Sequence, residues 1–484
     1  MKRLRIVLAT VFFAGITLMF LDITGVVHLW LGWMAKMQFL PAVLAGNFVI
    51  VAALLVVTLL VGRVYCSVIC PLGVMQDICS WFGGRKRKLR FHYVKDRPWL
   101  RGGVLAVFVA LMILGLNSIA ILIAPYSAYG RIATNLLQPV WLWGNNLCAW
   151  VAERFECYGF YHIDVWVKSG VSLVVAAVTL VVIGALSYRY GRAWCNNICP
   201  VGTVLGLVSR FSLLRPEIDE SKCVGCKLCA KKCKGQCINP EEHKIDYSRC
   251  VACMDCLENC KQGAIRLKLR GSKSEKPQTI DTERRKFMTV TAAVGATMAV
   301  EAQEMKVDGA VAVIEQKKVP NRNTPLKPAG AQSLKNFEDH CTGCQLCVSE
   351  CPNNVLRPSK DFSTLLQPEM HYDRGYCRPE CTRCSEVCPT GAIRKVTREE
   401  KTDIRIGCAV WVRENCLMPT GKACGKCQQG CPAGAILLVD DPATGHKIPS
   451  VNESRCIGCG KCEYLCPVRP FSAIYVEGRE VHER

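Results

Sequence analysis

The stretch Cys223-Val-Gly-Cys-Lys-Leu-Cys-Ala-Lys-Lys-Cys233 places four cysteines in a short run, and Cys250-Val-Ala-Cys-Met-Asp-Cys-Leu-Glu-Asn-Cys260 repeats the same spacing. The chain has 484 residues and 33 cysteines, most of them in runs of this kind. Disulfide scaffolds belong to short secreted domains, whereas this chain is long and 50% hydrophobic. The regular spacing therefore indicates metal ligands, and the length predicts about three domains.

These two runs have the spacing of 4Fe-4S ligands, in which a Cys-x-x-Cys-x-x-Cys loop holds three corners and a distant cysteine the fourth. In two-cluster ferredoxins, the fourth cysteine of each run binds the other cluster. We therefore predict one cluster on Cys223, Cys226, Cys229 and Cys260, and a second on Cys250, Cys253, Cys256 and Cys233. Zinc is the alternative for a single Cys-x-x-Cys pair, but two complete runs favour clusters.

Four further sets occur near the end of the chain, and each ends in Cys-Pro. They are Cys341, Cys344, Cys347, Cys351; Cys377, Cys381, Cys384, Cys388; Cys416, Cys424, Cys427, Cys431; and Cys456, Cys459, Cys462, Cys466. The sequence predicts four more 4Fe-4S clusters here, which makes six in all. Two ligand pairings are open: adjacent sets share ligands, or the first set pairs with the fourth and the second with the third.

Apolar runs dominate the first part of the chain and predict four membrane spans. They are Ile6–Phe20, Ala42–Val61, Val104–Ile123 and Val171–Leu186. Basic residues precede the first span and fill the segment 85–101 after the second, so we expect these ends on the cytoplasmic side of a bacterial inner membrane. The net charge of +21 fits this topology, and the sequence has no nucleic-acid-binding pattern.

An internal repeat accompanies these spans. Gly62-Arg-Val-Tyr-Cys-Ser-Val-Ile-Cys-Pro-Leu-Gly73 matches Gly191-Arg-Ala-Trp-Cys-Asn-Asn-Ile-Cys-Pro-Val-Gly202. The pairs Cys66/Cys70 and Cys195/Cys199 have a spacing of four, which on a helix puts both sulfurs on one face. We consider them candidate redox dithiols in the catalytic position. The alternatives are a metal site, the edge of a flavin or quinone site, and a purely structural role.

Arg284-Arg285-Lys286-Phe287 precedes a short apolar run and is typical of a twin-arginine export signal, with a fifth span as the alternative. Either interpretation places the following residues in the periplasm. The fold class is mixed: an α-helical membrane domain plus two α+β ferredoxin-like 4Fe-4S domains. The predicted parts are the membrane domain (1–210), a cytoplasmic two-cluster ferredoxin (221–268), the signal or fifth span (282–303), a linker (304–333) and a periplasmic four-cluster domain (334–484).

Some candidate groups have no assigned role. Cys79, Cys148, Cys157, Cys237 and Cys408 lie outside the ligand sets, although Cys148 and Cys157 share a predicted periplasmic loop in which a disulfide is allowed. His28 and His162 are candidates to accept a proton from quinol, with an ordinary interfacial histidine as the alternative. The sequence has no Cys-x-x-Cys-His motif, so we expect no c-type haem.

With four spans, two Cys-x-x-x-Cys-Pro motifs and a two-cluster ferredoxin, residues 1–270 resemble NapH, the membrane quinol dehydrogenase component of periplasmic nitrate reductase systems. From Arg284 onward the chain resembles NapG, the exported ferredoxin-type protein of those systems, and the methylamine-utilisation ferredoxins are similar. The resemblance implies a fusion that oxidises a membrane quinol and passes electrons through 4Fe-4S clusters to a periplasmic cytochrome or reductase, with nitrate reductase as one candidate. A redox-sensing or maturation protein and a merely tethered ferredoxin are the alternatives.

Overall fold

A computed structural model describes residues 2–22, 24–87, 91–157, 159–270, 316–442 and 444–483, so the predicted export signal or fifth span at 282–303 lies outside the described residues. The first part of the chain is helical. Its helices are α1 (Lys2–Leu21), α2 (Val26–Lys36), α3 (Phe39–Leu44), α4 (Phe48–Val61), α5 (Val64–Val68), α6 (Pro71–Arg87), α7 (Pro98–Ile113), α8 (Asn117–Ile123), α9 (Pro125–Ile132), α10 (Gln138–Arg154), α11 (Gly170–Tyr190), α12 (Ala193–Asn197) and α13 (Pro200–Ser209).

Two helices of the described chain, α1 and α11, are long and apolar enough to cross a membrane. Only 28% of the apolar window in α1 and 22% of that in α11 is buried inside the protein. A core helix of a soluble protein buries most of its apolar surface, whereas these helices present theirs outward. Both helices could therefore cross a membrane.

The other two predicted spans are interrupted helices, so the prediction of four spans is not confirmed. Gly46 has a φ of 64° and separates α3 from α4, whose first turn is capped by the Asn47 side chain. Gly115 has a φ of 75° and separates α7 from α8 in the same way. Glycine adopts this left-handed conformation without steric cost, and it ends a helix because the next residues leave the helical path. Apolar composition alone did not reveal either break.

The inner module follows α13 and contains short strands and helices. They are β1 (Leu214–Ile218), α14 (Leu228–Lys232), β2 (Ile238–Asn239), β3 (Lys244–Ile245), α15 (Asp255–Asn259) and β4 (Ile265–Leu269). Strand β1 pairs antiparallel with β4, from Leu214 opposite Leu269 to Ile218 opposite Ile265. The module therefore begins at Leu214, seven residues before the predicted boundary at 221.

The outer module contains the remaining elements. They are α16 (Leu334–His340), α17 (Leu346–Ser349), β5 (Leu356–Pro358), β6 (Pro368–Met370), α18 (Arg383–Val387), α19 (Arg398–Asp403), β7 (Arg405–Trp411), α20 (Lys426–Gly430), β8 (Ile436–Asp440), β9 (Lys447–Val451), α21 (Lys461–Leu465) and β10 (Ile474–Glu483). Antiparallel pairs join β5 to β6, β7 to β10 and β8 to β9.

Part of the predicted linker packs into the outer module. The Arg322 side chain donates to the Val476 carbonyl at 2.7 Å and forms an ion pair with the buried Glu463. The Met370 amide donates to the Leu326 carbonyl at 2.9 Å. The described part of the linker is therefore ordered by the same core that holds the outer strands.

Helix α1 connects the two modules. At its start, Lys2 pairs with Glu258 and, at 3.3 Å, with Asp255 of the inner module. Just beyond its end, the Thr24 carbonyl accepts a hydrogen bond of 2.6 Å from Arg383 of the outer module. At about 1.5 Å per residue, a helix of 20 residues spans about 30 Å, which is the thickness of a bilayer core. The two modules consequently lie at opposite ends of the helical domain.

Candidate iron-sulfur sites

Cysteines of the inner module surround two cavities. Quartet A lines one cavity and consists of Cys223, Cys226, Cys229 and Cys260. Quartet B lines the other and consists of Cys233, Cys250, Cys253 and Cys256. Each quartet takes three cysteines from one run and the fourth from the other run. The structure thus brings together the same groups that the ferredoxin spacing predicts.

Cys237 is a fifth cysteine at the quartet B cavity, and the spacing rules did not assign it a role. Its Sγ lies 3.5 Å from Cys233 Sγ, and the residue is 2% exposed. The sequence contained one signal for this position, since Cys237 follows the fourth cysteine of its run within four residues. It contacts a candidate ligand and belongs to the wall of the site.

Three quartets of the outer module also line cavities. They are quartet D (Cys377, Cys381, Cys384, Cys351), quartet E (Cys456, Cys459, Cys462, Cys431) and quartet F (Cys416, Cys424, Cys427, Cys466). The remaining cysteines, quartet C, are Cys341, Cys344, Cys347 and Cys388. Burial raises the pKa of Cys347, and the neighbouring Cys344, Cys341 and Cys388 raise it further, which places the four thiols together.

Adjacent sets therefore exchange their fourth cysteines: the first set with the second, and the third with the fourth. Of the two pairings that the sequence left open, the structure has this one. A direct contact then joins the two halves of the module, because the Cys377 amide donates to the Cys459 carbonyl at 2.9 Å. In space, quartets C and D form one half of the module and quartets E and F the other, and the two halves meet where D contacts E. We therefore describe the series as C, D, E and F.

The donor sets fit 4Fe-4S clusters. Backbone amides point at ligand sulfurs, with Ala435 N to Cys431 Sγ and Ala473 N to Cys466 Sγ both at 3.3 Å. Such hydrogen bonds stabilise thiolates and tune the clusters that they hold. No three His, Cys, Asp or Glu side chains in the described ranges are placed to hold a single metal ion. Thiols that surround a cavity suit a multi-iron cluster better than one zinc ion.

The two repeat copies bring four further thiols into the helical domain. Cys66, Cys70, Cys195 and Cys199 are each only 3–4% exposed. The prediction that each pair lies on one helical face was wrong, since α5 ends at Val68 and α12 at Asn197. Proline disfavours the helical conformation in the preceding residue, so the chain turns before Pro71 and before Pro200. The second thiol of each pair consequently lies in the turn between two helices.

Two arginines hold the repeat copies to each other. Arg63 donates to the Gly202 carbonyl at 2.9 Å, and Arg192 donates to the Cys66 carbonyl at 2.6 Å, so each side chain reaches the other copy. Both arginines are 0% exposed. Their role was missed from sequence, although their identical place in both copies was a signal that they serve the paired thiols.

Asp77 of α6 ties this region to its surroundings. Its carboxylate accepts hydrogen bonds from Arg192 at 2.9 Å and from Arg5 of α1 at 3.0 Å, and it lies 3.6 Å from Lys234 of the inner module. Burial alone would raise the pKa of Asp77, but Arg192, Lys234 and Arg5 together hold it well below its usual range. One carboxylate thus joins the first helix, the repeat and the inner module.

The outer module docks on the helical domain through the loop that carries quartet C. At Gly130 an added Cβ would lie 2.3 Å from the Cys344 carbonyl, so only glycine fits at this contact. Burial raises the pKa of Tyr126, and the neighbouring Cys344 and Cys388 raise it further. Side-chain hydrogen bonds to the same loop come from Asn135, Gln138 and Lys168. The loop of quartet C is therefore packed directly on the helical domain.

The other candidate residues are scattered. His28 is 9% exposed, and burial lowers its pKa while its hydrogen bond to the backbone carbonyl of Glu386 in the outer module raises it, so it lies near the docking surface. His162 is exposed.

Cys148 lies on α10, and both it and Cys157 are exposed free thiols. Cys79 is partly exposed on α6, and Cys408 lies on β7 beside Cys456.

Family models match both halves of the chain. A 4Fe-4S binding domain matches residues 44–90 and 170–217, so a single model covers both copies of the repeat. A 4Fe-4S dicluster domain matches residues 340–417 and 422–469, which contain every cysteine of quartets C to F. No solved structure matches the chain.

Named relatives are similar to part of the chain. The methylamine utilization ferredoxin-type protein MauM of Methylobacillus flagellatus is 34% identical over 169 residues, which cover 33% of this chain and 70% of MauM. The ferredoxin-type protein NapG of Escherichia coli is 32% identical over 207 residues, which cover 40% of this chain and 84% of NapG. The chain belongs to the ferredoxin-type protein family of NapG and MauM.

Within this ferredoxin-type family, the similarity extends to NapF of Escherichia coli, which is 27% identical over 173 residues, 36% of this chain and 98% of NapF. The resemblance to Nap ferredoxin-type proteins is thereby confirmed. The family carries 4Fe-4S clusters and transfers electrons, and those two properties hold for this member. Each of these relatives covers at most 40% of this chain.

Proposed function

We propose that this protein oxidises a membrane quinol and relays the electrons through its 4Fe-4S clusters to a periplasmic cytochrome or reductase. The observation that carries the proposal is the position of the two modules at opposite ends of α1, which has the length of a bilayer span. Cysteine quartets lie at both ends of this helix, and four more thiols lie buried in the helical domain. A merely tethered ferredoxin would not need the latter.

The charge distribution supports a cytoplasmic inner module. The segment that follows the basic loop packs on this module: the Phe91 amide donates to the Lys231 carbonyl at 3.0 Å, and Arg249 donates to the Val94 carbonyl at 2.5 Å. Residues 91–101, the described end of the basic segment, and the basic start of α1 therefore lie at the same end of the helices. Because basic flanks stay in the cytoplasm, the outer module faces the periplasm in this proposal.

The outer quartets form a route from the helical domain to the protein surface. Quartet C contacts the helical domain through Gly130 and Tyr126, and quartet F, at the other end of the series, lies beside the exposed Lys422 and Lys426. A quinol yields two electrons and two protons, and a 4Fe-4S cluster carries one electron at a time. The two electrons would leave in succession through the series C, D, E and F, and quartet F is the exit.

The test is anaerobic reduction of the purified full-length protein by a menaquinol analogue, followed by EPR spectroscopy. Cluster signals should appear with the quinol, and dithionite should define the total signal that the same sample can give. A protein that dithionite reduces fully and quinol never reduces would overturn the proposal. That outcome would favour a redox-sensing or maturation protein.

A further inference from the structure

Cys237 occupies a position in the inner module that small apolar residues occupy in the other cysteine runs. It is the fourth residue after Cys233, the last cysteine of its run, and the fourth residue after Cys260 is Ala264. Ala264 lines the quartet A cavity as Cys237 lines the quartet B cavity. The equivalent residues of the outer sets are Val355, Ala392, Ala435 and Pro470. Quartet B is thus the quartet that has a sulfur at this position.

A tight turn folds the sulfur of Cys237 back onto a candidate ligand. The Gln236 amide donates to the Cys233 carbonyl at 3.0 Å, and Gln236, with a φ of 52°, then redirects the chain. The Cys237 carbonyl accepts a hydrogen bond of 2.8 Å from the Asp246 amide, which fixes the backbone at the start of β2. Cys237 Sγ consequently lies 3.5 Å from Cys233 Sγ.

Both thiols lie inside the module, at the wall of the same cavity. Cys233 is 7% exposed and Cys237 is 2% exposed, and they share a small core with Ile238 and Ile245, against which Cys256 of quartet B packs. Thiolates on different irons of a 4Fe-4S cluster have the iron-sulfur core between them, so two sulfurs in contact face the same iron. Cys237 is therefore placed to compete with Cys233 rather than to bind a corner of its own.

We propose that Cys237 is a reserve ligand of the quartet B cluster and takes over the iron that Cys233 holds when Cys233 is lost or modified. In the exchange, the Fe–Sγ bond to Cys233 breaks and an Fe–Sγ bond to Cys237 forms. The proton of the Cys237 thiol passes to the Cys233 sulfur along the contact between them, so the exchange needs no oxidant or reductant. A cysteine that only filled space would do no more than the alanine at position 264 does.

The exchange is tested on the full-length protein, purified anaerobically and analysed for iron and acid-labile sulfide. Cys233→Ala should retain the iron and sulfide of the wild type, because Cys237 replaces the lost ligand. Cys233→Ala/Cys237→Ala should lose the iron and sulfide of one cluster, whereas Cys237→Ala alone should lose none. Cys260→Ala, the matched variant of quartet A, should lose one cluster, since Ala264 offers no sulfur. Loss of a cluster in Cys233→Ala, or retention in the double variant, would overturn the proposal.

A control variant shows whether retention depends on Cys237. Cys256→Ala removes a ligand of quartet B that has no reserve, so it should lose one cluster. Retention of all iron in Cys256→Ala as well would overturn the proposal, because the site would then need no fourth thiolate. The dithionite-reduced EPR signals of the outer clusters should persist in every variant and show that each is folded.

A transfer of the reserve sulfur to quartet A covers the case in which Cys233→Ala fails to fold. Cys260→Ala/Ala264→Cys should regain the iron and sulfide that Cys260→Ala loses, and no recovery would contradict the proposal. The inference rests on cluster binding by quartet B and not on quinol oxidation. Because these measurements use dithionite and no quinol, a failure of quinol oxidation and a failure of ligand exchange give different results.

Discussion

The first quartets of the two modules differ in exposure. Quartet A of the inner module is open, with Cys226 exposed and the other three cysteines partly exposed. In quartet C of the outer module, Cys341, Cys344 and Cys347 are only 7–9% exposed, because the loop lies against α9 and its neighbours. Similar ligand spacing thus serves an open site in one module and a covered site in the other. The difference teaches that docking, rather than the motif, decides how far a quartet is exposed.

The largest expected difference is in electron transfer to the outer module. Cys344→Ala removes a ligand of the quartet that contacts the helical domain, so quinol-dependent reduction of the remaining outer clusters should be nearly abolished. Cys226→Ala removes the corresponding ligand of quartet A and should leave that reduction largely intact. Freeze-quench EPR after addition of a menaquinol analogue measures both. Equal losses in the two variants would show that electrons pass through quartet A on their way outward.

A second difference concerns attack by a soluble oxidant. Ferricyanide reaches exposed clusters first, so the cluster of quartet A should be destroyed several times faster than that of quartet C. The loss of each EPR signal with time gives the two rates. Dissociation of the outer module should remove the protection of quartet C. An Asn135→Leu/Gln138→Leu variant, which loses side-chain hydrogen bonds to this loop, therefore tests whether docking provides the cover.

The smallest expected effect concerns the attachment of the inner module. Asp77→Asn weakens the contacts to Arg192, Arg5 and Lys234, and we expect a loss of about 2 kcal/mol in the free energy of unfolding. The pKa of Asp77 is depressed in the folded protein, so this contribution is complete above the unfolded value of about 4 and is lost as the pH falls. Thermal unfolding in detergent should therefore separate the variant from the wild type at pH 7 and less so in acid.

Much of the cysteine chemistry was predictable because ligand spacing is a local property. The crossed quartets A and B follow from the runs that begin at Cys223 and Cys250. The pairing of the outer sets was not predictable, since either arrangement satisfies the same spacing. The breaks at Gly46 and Gly115 were missed because hydropathy reports composition and not backbone conformation. The contacts of Arg63 and Arg192 depend on two copies meeting in space, which a linear pattern does not show.

The reciprocal contacts of the two arginines have a consequence for the origin of the chain. A chain with only one copy of the repeat would carry two of the four repeat thiols. Its arginine could donate to a backbone carbonyl only in the repeat of a second chain. Such an ancestor would have functioned as a symmetric dimer, and duplication with fusion let the two copies diverge. Asp77 in one copy anchors α1, whereas the equivalent Gly206 makes room for Arg101 and Ser248, since an added Cβ would lie 2.6 Å from each. The two copies thus make different contacts, one with α1 and the other with Arg101 and Ser248.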